Sequence, residues 1–159
     1  MISQREKNFN FSIILTACIK PINMPFLERT SEMDRLDDYK KTFTRWCENE
    51  LVEKVIFIEN SGYDLSFFRE ISKKFPNKKI EIISSNLNDT FEKSLGKGYG
   101  EFLCLKEIFE NSKIANNADF FLKITERYYI KNFNKIFEEF KKKKSDIYVC
   151  IKNNLTYAD

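Results

Sequence analysis

A chain of 159 residues, 42% of them hydrophobic, is long enough to bury one sizeable core, and we expect a single domain over residues 1–159. The 27 basic and 24 acidic residues leave a formal net charge of only +3, which gives little support to a nucleic-acid-binding function. Because the chain has no histidine and its four cysteines are widely spaced, we expect no zinc site and interpret the cysteines as buried, reduced thiols. We also expect no signal peptide and no membrane-spanning helix, since the longest apolar run, residues 11–19, has only the length of a strand.

Short apolar runs alternate along the chain with amphipathic segments. The predicted strands are 11–17, 55–58, 79–84, 120–122 and 145–151. The predicted helices are 31–50, 65–75, a helix that follows the glycines at 96–100, and 132–144. This alternation predicts a Rossmann-like α/β fold, with a mainly parallel sheet of about five strands and helices on both faces.

Several details of these elements can be predicted as well. Ser31 is expected to cap the first helix, and the alternation within 79–84 suggests a strand that lies at an edge of the sheet or has one partly exposed face. The inner face of the helix after the glycines is expected to consist of Phe102, Leu105, Ile108 and Phe109.

A polar cluster follows the fourth predicted strand. It consists of Lys123, Thr125, Glu126 and Arg127. Ligands of open α/β sheets bind outside the carboxyl ends of the strands, so this cluster is a candidate site. The alternative is a charged strand end that is simply solvated.

Three of the four glycines fall within the segment Gly96-Lys97-Gly98-Tyr99-Gly100-Glu101. Glycine lets backbone amides approach a ligand closely, and a helix that begins there would favour an anion. The segment lacks the spacing of a phosphate-binding P-loop. A flexible turn explains the glycines equally well.

Three segments together resemble a group of bacterial glycosyltransferases. They are Ile58-Glu59-Asn60-Ser61-Gly62, the glycine segment 96–101, and Lys123-Ile124-Thr125-Glu126-Arg127-Tyr128-Tyr129-Ile130. These enzymes assemble capsule, O-antigen and lipooligosaccharide, and they are related to the nucleotide-sugar-binding fold called GT-A. The resemblance extends from Phe11 to about Asp159 and implies a nucleotide-sugar donor and a glycan acceptor.

The resemblance also implies roles for individual residues. Thr16, Ala17 and Cys18 would border the nucleotide, and Glu59 or Asn60 would contact its base or ribose. The donor would lie close to Gly96, Lys97, Gly98 and Gly100. Lys123 and Arg127 would face the diphosphate and stabilise the leaving nucleotide, while Glu101 or Glu126 would deprotonate the acceptor hydroxyl.

The chain departs from this family in three respects. Many GT-A enzymes hold Mn²⁺ or Mg²⁺ with an Asp-x-Asp pair, whereas this chain has Lys123 and Arg127 in that region, so we expect no required cofactor, although a divalent metal stays compatible with the donor. Glu126 stands where similar sequences commonly have glycine. Full-length relatives usually continue beyond the position of Asp159 with an acceptor-binding part, so we expect a truncated or reduced form.

Two other hypotheses stay open. One is a non-catalytic α/β module that associates with other polysaccharide-assembly proteins, with the aromatic loop Met24–Phe26 as a candidate surface. The other is a nucleic-acid-binding domain, supported only by the basic run Lys141–Lys144, which we interpret instead as a helix end. We expect a cytoplasmic location, with at most peripheral association with the inner face of the bacterial membrane.

Overall fold

A computed structural model of the chain describes residues 10–24, 27, 29–125 and 127–143. The chain divides into two compact units, Met1–Tyr129 and Ile130–Asp159. The single-domain organisation expected from the sequence therefore stays a prediction. The predicted fifth strand, 145–151, lies outside the described residues.

The first unit contains a sheet of four parallel strands. They are β1 (Phe11–Ala17), β2 (Lys54–Glu59), β3 (Lys79–Ser84) and β4 (Phe120–Thr125), in the spatial order β3-β2-β1-β4. The predicted parallel α/β architecture is confirmed for these four strands. Every residue of β1 is buried, as the apolar run 11–17 requires of a central strand, and β3 lies at an edge as predicted.

The helices of the first unit are α1 (Glu32–Glu48), α2 (Ser66–Lys73) and α3 (Gly96–Asn111). Short 3-10 turns occur at Leu87–Asp89, Lys93–Leu95 and Ala115–Asn117. Ser31 caps α1 as predicted, because its hydroxyl accepts a hydrogen bond from the amide of Asp34 at 3.3 Å.

Both faces of the sheet are covered. Phe57 of β2 lies on one face, with its ring centroid 5.4 Å from that of Phe43 in α1 and 4.5 Å from that of Phe68 in α2. Neighbouring strand residues point to opposite faces, and Ile56 accordingly packs with Ile108 of α3. Helices α1 and α2 therefore cover one face, and α3 covers the other.

The sequence-based prediction for α3 is wrong in two respects. The glycines do not precede the helix, because Gly96 is its first residue and Gly100 is buried within it. Phe102 does not face the core, since it is 56% exposed, whereas Phe109, although 46% exposed, packs edge-on against Phe121 of β4 with the ring centroids 5.1 Å apart. The side that faces the sheet consists of Gly100, Cys104 and Ile108, at four-residue spacing.

The second unit contributes helix α4 (Phe133–Lys143) to the described residues. Its bounds agree with the predicted segment 132–144 within one residue at each end. The rings of Phe133 and Phe137 stack with centroids 5.5 Å apart, and Lys141 forms an ion pair with Glu138 at 2.5 Å. The helix contains Lys141 as expected, whereas Lys144 lies outside the described residues.

Candidate functional site

The order of the strands defines a switch point between β1 and β4. The chain proceeds from β1 to β2 and β3 on one side, then crosses through α3 to β4 on the other side of β1. Ligands of open α/β sheets bind at such a point, in the crevice outside the carboxyl ends of the strands. The loops after Ala17 and Thr125 border this crevice, which is where the sequence predicted a site.

Three polar side chains come together on the α3 side of the switch point. Lys123 and Thr125 of β4 both contact Glu101 of α3: the Lys123 ammonium binds Glu101 Oε2, and the Thr125 hydroxyl donates to Oε1 at 3.1 Å. Lys123 Nζ also lies 3.4 Å from Thr125 Oγ1. The structure therefore brings together Glu101 and Lys123, two of the four residues predicted to be catalytic, and holds both carboxylate oxygens of Glu101.

The other two predicted catalytic residues are placed differently. Glu126 lies outside the described residues. Arg127 is half-buried, its Nε atom is buried without a hydrogen-bond partner, and its guanidinium carbon lies 5.8 Å from the centre of the Tyr128 ring.

Buried polar atoms without hydrogen-bond partners extend this group of side chains across the sheet. We call the whole set the polar row; it consists of Thr16, Asn60, Asn88, Glu101, Lys123 and Thr125. Thr16 pairs with Thr125 in the sheet register and faces α3, yet its hydroxyl has no partner within the described structure. Asn60, just after β2, donates from Nδ2 to the sulfur of Cys104 at 3.4 Å, while its Oδ1 has no partner. The Asn88 side-chain nitrogen is also unpaired. These three residues are 4%, 7% and 1% exposed, and such unpaired groups in a core call for a water, an ion or a ligand.

Glu59, one of the two residues for which the resemblance implies a nucleotide contact, is hydrogen-bonded within the protein. Its fully buried carboxylate accepts hydrogen bonds from the amides of Ile19 and Tyr63 at 2.9 Å, and from the amide and hydroxyl of Ser61. It thus joins the loop after β1 to the loop after β2. Asn60, rather than Glu59, offers a free acceptor atom.

Replacing Glu59 with glutamine is expected to lower the free energy of unfolding by about 1–3 kcal/mol, because an amide group turns an N–H donor toward backbone donors. Urea titration followed by circular dichroism measures this change. Glu53→Gln is the matched control, since Glu53 is exposed one residue before the same strand. Equal stability of the two variants would show that the buried carboxylate does not hold the loops.

Gly62 fixes the loop after β2 against the segment after β3. It has a φ of 69°, and its amide donates to the carbonyl of Ser85 at 2.9 Å. A Cβ atom at this position would overlap the side-chain oxygen of Asn86. The amide of Asn88 donates to the carbonyl of Asn60 at 2.7 Å and adds a second link between the same segments.

The predicted glycine turn is partly solvent-exposed. Lys97 and Gly98 are exposed, and a Cβ atom at Gly96 or Gly98 would meet no neighbour within 4 Å. Gly100 differs, because a Cβ atom there would lie 3.0 Å from the ring of Phe91. Of the three glycines, Gly100 alone is required for close packing, beside the polar row.

Ala17 ends β1 and Cys18 follows it; these are two of the residues that the resemblance places beside the nucleotide. Ala17 is buried, and its carbonyl accepts from the amide of Asn60 at 3.0 Å. Burial raises the pKa of the Cys18 thiol to about 12, with a smaller opposing effect from the charge of Arg35. Burial also raises the pKa of the Cys104 thiol to about 11. Both thiols are therefore protonated near neutral pH and are weak nucleophiles.

Arg35 of α1 is a buried arginine beside the end of β1, and sequence reasoning missed its burial. It is 5% exposed and donates to the carbonyls of Cys18 and Arg29 at 2.7 and 3.2 Å, and to the Tyr39 hydroxyl at 2.8 Å. Burial raises the pKa of Tyr39 to about 12. The arginine falls one residue before Leu36 of the apolar stripe, which was the only sequence signal that it would be buried.

A surface cavity of about 390 Å³ lies elsewhere, at the amino ends of β2 and β3. Its lining consists of Lys54, Lys79, Lys113, Ile114 and Asn117. Open parallel sheets bind ligands at the carboxyl ends of their strands, so we place the candidate site at the switch point and not in this cavity.

Neither a metal cluster nor a membrane span is found in the part of the chain that the structure describes. No group of three or more cysteine, aspartate or glutamate side chains there is placed to hold a metal ion. No described helix has the length and apolar character needed to cross a bilayer. Comparisons with protein-family models, with curated proteins and with solved structures found no match to the chain.

Proposed function

We propose that the chain is a nucleotide-sugar-binding domain of the glycosyltransferase type, which binds its donor at the carboxyl edge of the sheet and transfers the sugar to a bacterial surface glycan. The observation that carries this proposal is the polar row at the switch point, which borders the apolar cluster between the sheet and α3. The resemblance of the three sequence segments supplies the class of substrate. The proposed location is the cytoplasm or the inner face of the membrane.

The unpaired atoms of the row suit a neutral, hydrogen-bonding part of the donor. Asn60 Oδ1 can accept a hydrogen bond, and the Thr16 hydroxyl can donate or accept one. A nucleobase or ribose offers both kinds of group. We therefore assign Thr16 and Asn60 to the nucleoside and leave Glu59 in its structural role.

In the proposed reaction, an acceptor hydroxyl attacks the anomeric carbon and the bond from that carbon to the nucleotide diphosphate breaks. For an inverting enzyme, a carboxylate takes the proton of the hydroxyl. Glu101 is our candidate for this base, because Lys123 and Thr125 hold its two oxygens in a fixed orientation at the switch point. No metal is required by this assignment.

Thr16→Val tests the binding of the donor. Without ligand, we expect the free energy of unfolding to stay equal or to rise, because the variant removes an unpaired buried hydroxyl. With UDP-, GDP- or CMP-sugars at millimolar concentration, we expect one class to raise the melting temperature of the wild type, and the variant to bind it roughly threefold to tenfold more weakly.

Ser12→Ala is the matched control for that experiment. Ser12 is a fully buried residue of the same strand, its hydroxyl is also unpaired, and it lies near the amino end, away from the switch point. We expect it to bind the donor like the wild type. Failure of every sugar nucleotide to shift the wild-type melting temperature would contradict the proposed function.

One observation favours the alternative of a non-catalytic binding module. An exposed apolar row lies at the start of helix α3, formed by Leu95, which precedes the helix, and by Tyr99 and Phe102. A monomeric protein seldom leaves such a row uncovered. The loop proposed earlier for association, Met24–Phe26, includes two residues outside the described structure. Indifference to all sugar nucleotides, together with loss of self-association in Phe102→Ser, would favour this alternative.

A further inference from the structure

We propose that the cavity at the amino ends of β2 and β3 is a second binding site, for a small anion that carries several acidic groups, such as a polyphosphate or a polycarboxylate. The cavity has a volume of about 390 Å³ and lies at the opposite end of the strands from the switch point. The inference goes beyond the proposed function, because it does not depend on a nucleotide sugar. It rests on three lysines that line one cavity.

Two of these lysines lie side by side on the sheet. Lys54 and Lys79 are the first residues of β2 and β3 and are direct partners in the parallel register. Partner residues of neighbouring parallel strands point to the same face of the sheet. This is the face that α3 covers, because Ile56, two residues after Lys54, packs with Ile108. The two ammonium groups therefore extend from adjacent positions, where like charges repel.

The third lysine comes from the loop after α3, and Glu81 of β3 fixes that loop. Glu81 Oε1 accepts from the amides of Lys113 and Ile114 at 3.1 and 3.2 Å, and its Oε2 accepts from the hydroxyl of Ser112. The side chain of Asn117 donates to the Lys113 carbonyl at 2.8 Å. The part of the lining that this loop provides is thus held in place by hydrogen bonds within the protein.

One carboxylate lies beside the three lysines. Glu81 is on the same face of β3 as Lys79, two residues further along the strand. Both of its oxygens accept hydrogen bonds from the loop, and its single negative charge leaves an excess of two positive charges from the lysines of the lining. Glu53 and Asp119, which are close to lining residues in the sequence, are exposed and do not line the cavity.

The lysines are not neutralised by direct contacts. Among the described residues, no carboxylate lies within ion-pair distance of Lys54, Lys79 or Lys113. The ammonium of Lys54 donates to the side-chain oxygen of Asn10, which is a neutral acceptor. Lys113 follows the last turn of α3, where a cation offsets the helix dipole, but Lys54 and Lys79 begin strands and have no such role. A bound anion would remove the repulsion between these two strand lysines.

A small anion with several charges fits the cavity in size and in chemistry. Ligand pockets typically have volumes of roughly 300–1,000 Å³, so the cavity suits a small molecule. Ammonium groups act as point charges and bind phosphate and carboxylate oxygens without the planar geometry that a guanidinium imposes. Since three ammonium groups surround the cavity, a molecule with two or three acidic groups can contact more than one of them at once.

Calorimetric titration of the wild type with tripolyphosphate and, separately, with citrate tests the site at low ionic strength. We expect at least one of these anions to bind, and the one that binds identifies the ligand as a phosphate or a carboxylate compound. Lys79→Gln and Lys113→Gln are each expected to weaken binding roughly threefold to tenfold, because each removes one cation from the cavity. Raising the salt concentration to about 0.5 M is expected to weaken binding further.

The stability of Lys79→Gln without ligand is an independent measurement. We expect this variant to be as stable as the wild type or slightly more stable, because it removes one of two adjacent cations. Urea titration followed by circular dichroism measures the difference. A clear loss of stability would contradict the repulsion between Lys54 and Lys79 on which the inference depends.

Two control variants complete the experiment. Lys41→Gln removes the same charge from an exposed lysine of α1, on the other face of the sheet. Thr16→Val alters the switch point and leaves the lining of the cavity unchanged. Both variants are expected to bind the anion like the wild type.

The outcomes distinguish the cavity from other sources of anion binding. An equal loss of affinity in Lys41→Gln and Lys79→Gln would indicate a response to overall charge and would overturn the site. Binding that is weakened by Thr16→Val, but by neither lysine variant of the cavity, would locate the anion at the switch point and would also overturn it. Failure of both anions to bind the wild type would overturn the inference and leave the transferase proposal standing.

Discussion

Phe57→Ala is expected to lower the free energy of unfolding by about 3–5 kcal/mol. Phe57 is fully buried, and its ring contacts Phe43 of α1 in an edge-on arrangement and Phe68 of α2 in a stacked one. Its truncation leaves a cavity where two helices meet the sheet and removes both ring contacts. Because domains are stable by only about 5–15 kcal/mol, we expect a large shift of the urea midpoint.

Phe67→Ala provides the control for this variant. Phe67 precedes Phe68 in α2 and is 39% exposed, with its ring 5.7 Å from that of Phe68 and 4.7 Å from the ammonium of Lys40. We expect a loss of about 1 kcal/mol or less. If both variants lost equal stability, the packing of α1 and α2 around Phe57 would not be the main support of this face of the sheet.

Glu101→Gln is expected to reduce the rate of sugar transfer about 10²- to 10⁴-fold, the usual contribution of a general base. The glutamine keeps the size of the side chain and can still accept from Thr125, but it cannot take a proton from the acceptor. Donor binding is expected to change little, because Thr16 and Asn60 are untouched. Single-turnover transfer from the sugar nucleotide that binds to a glycan acceptor measures the rate.

The matched variant is Glu107→Gln on the same helix. Glu107 accepts a hydrogen bond from Asn111 at 3.1 Å and has no contact with Lys123 among those described. Its transfer rate is expected to equal that of the wild type. A Glu101→Gln variant as active as Glu107→Gln would remove Glu101 from the reaction and leave Glu126 as the remaining carboxylate of the sequence analysis.

Much of the fold follows from local patterns in the sequence. The apolar run 11–17 and the alternating run 79–84 coincide with β1 and β3, because burial on two faces or on one leaves a distinct pattern. The inner face of helix α3 could not be predicted in this way, since the helix carries apolar residues on more than one side. Its contact face uses Gly100 and Cys104, small residues that allow close approach to the sheet, whereas Tyr99 and Phe102 are exposed.

The position of the candidate site could be predicted from the sequence, but the contacts between its side chains could not. The parallel topology places Thr16, Asn60 and Lys123 toward the carboxyl ends of the strands, which is where the sequence predicted a site. The sequence could not show that the carboxylate of Glu101 forms an ion pair with Lys123, which is 22 residues away along the chain. Nor could it show that the carboxylate of Glu59 accepts hydrogen bonds from backbone amides, because such contacts depend on the conformations of the loops.

Gly62 limits how this edge of the molecule can evolve. Any other amino acid there would have to adopt a backbone conformation that side chains disfavour, and would also displace Asn86 from its place beside the loop. The two segments that carry Asn60 and Asn88 would then separate. Homologues that keep the contact between these two segments are therefore expected to keep glycine at this position, while Gly98, which has no positive φ and meets no neighbour, can be replaced more freely.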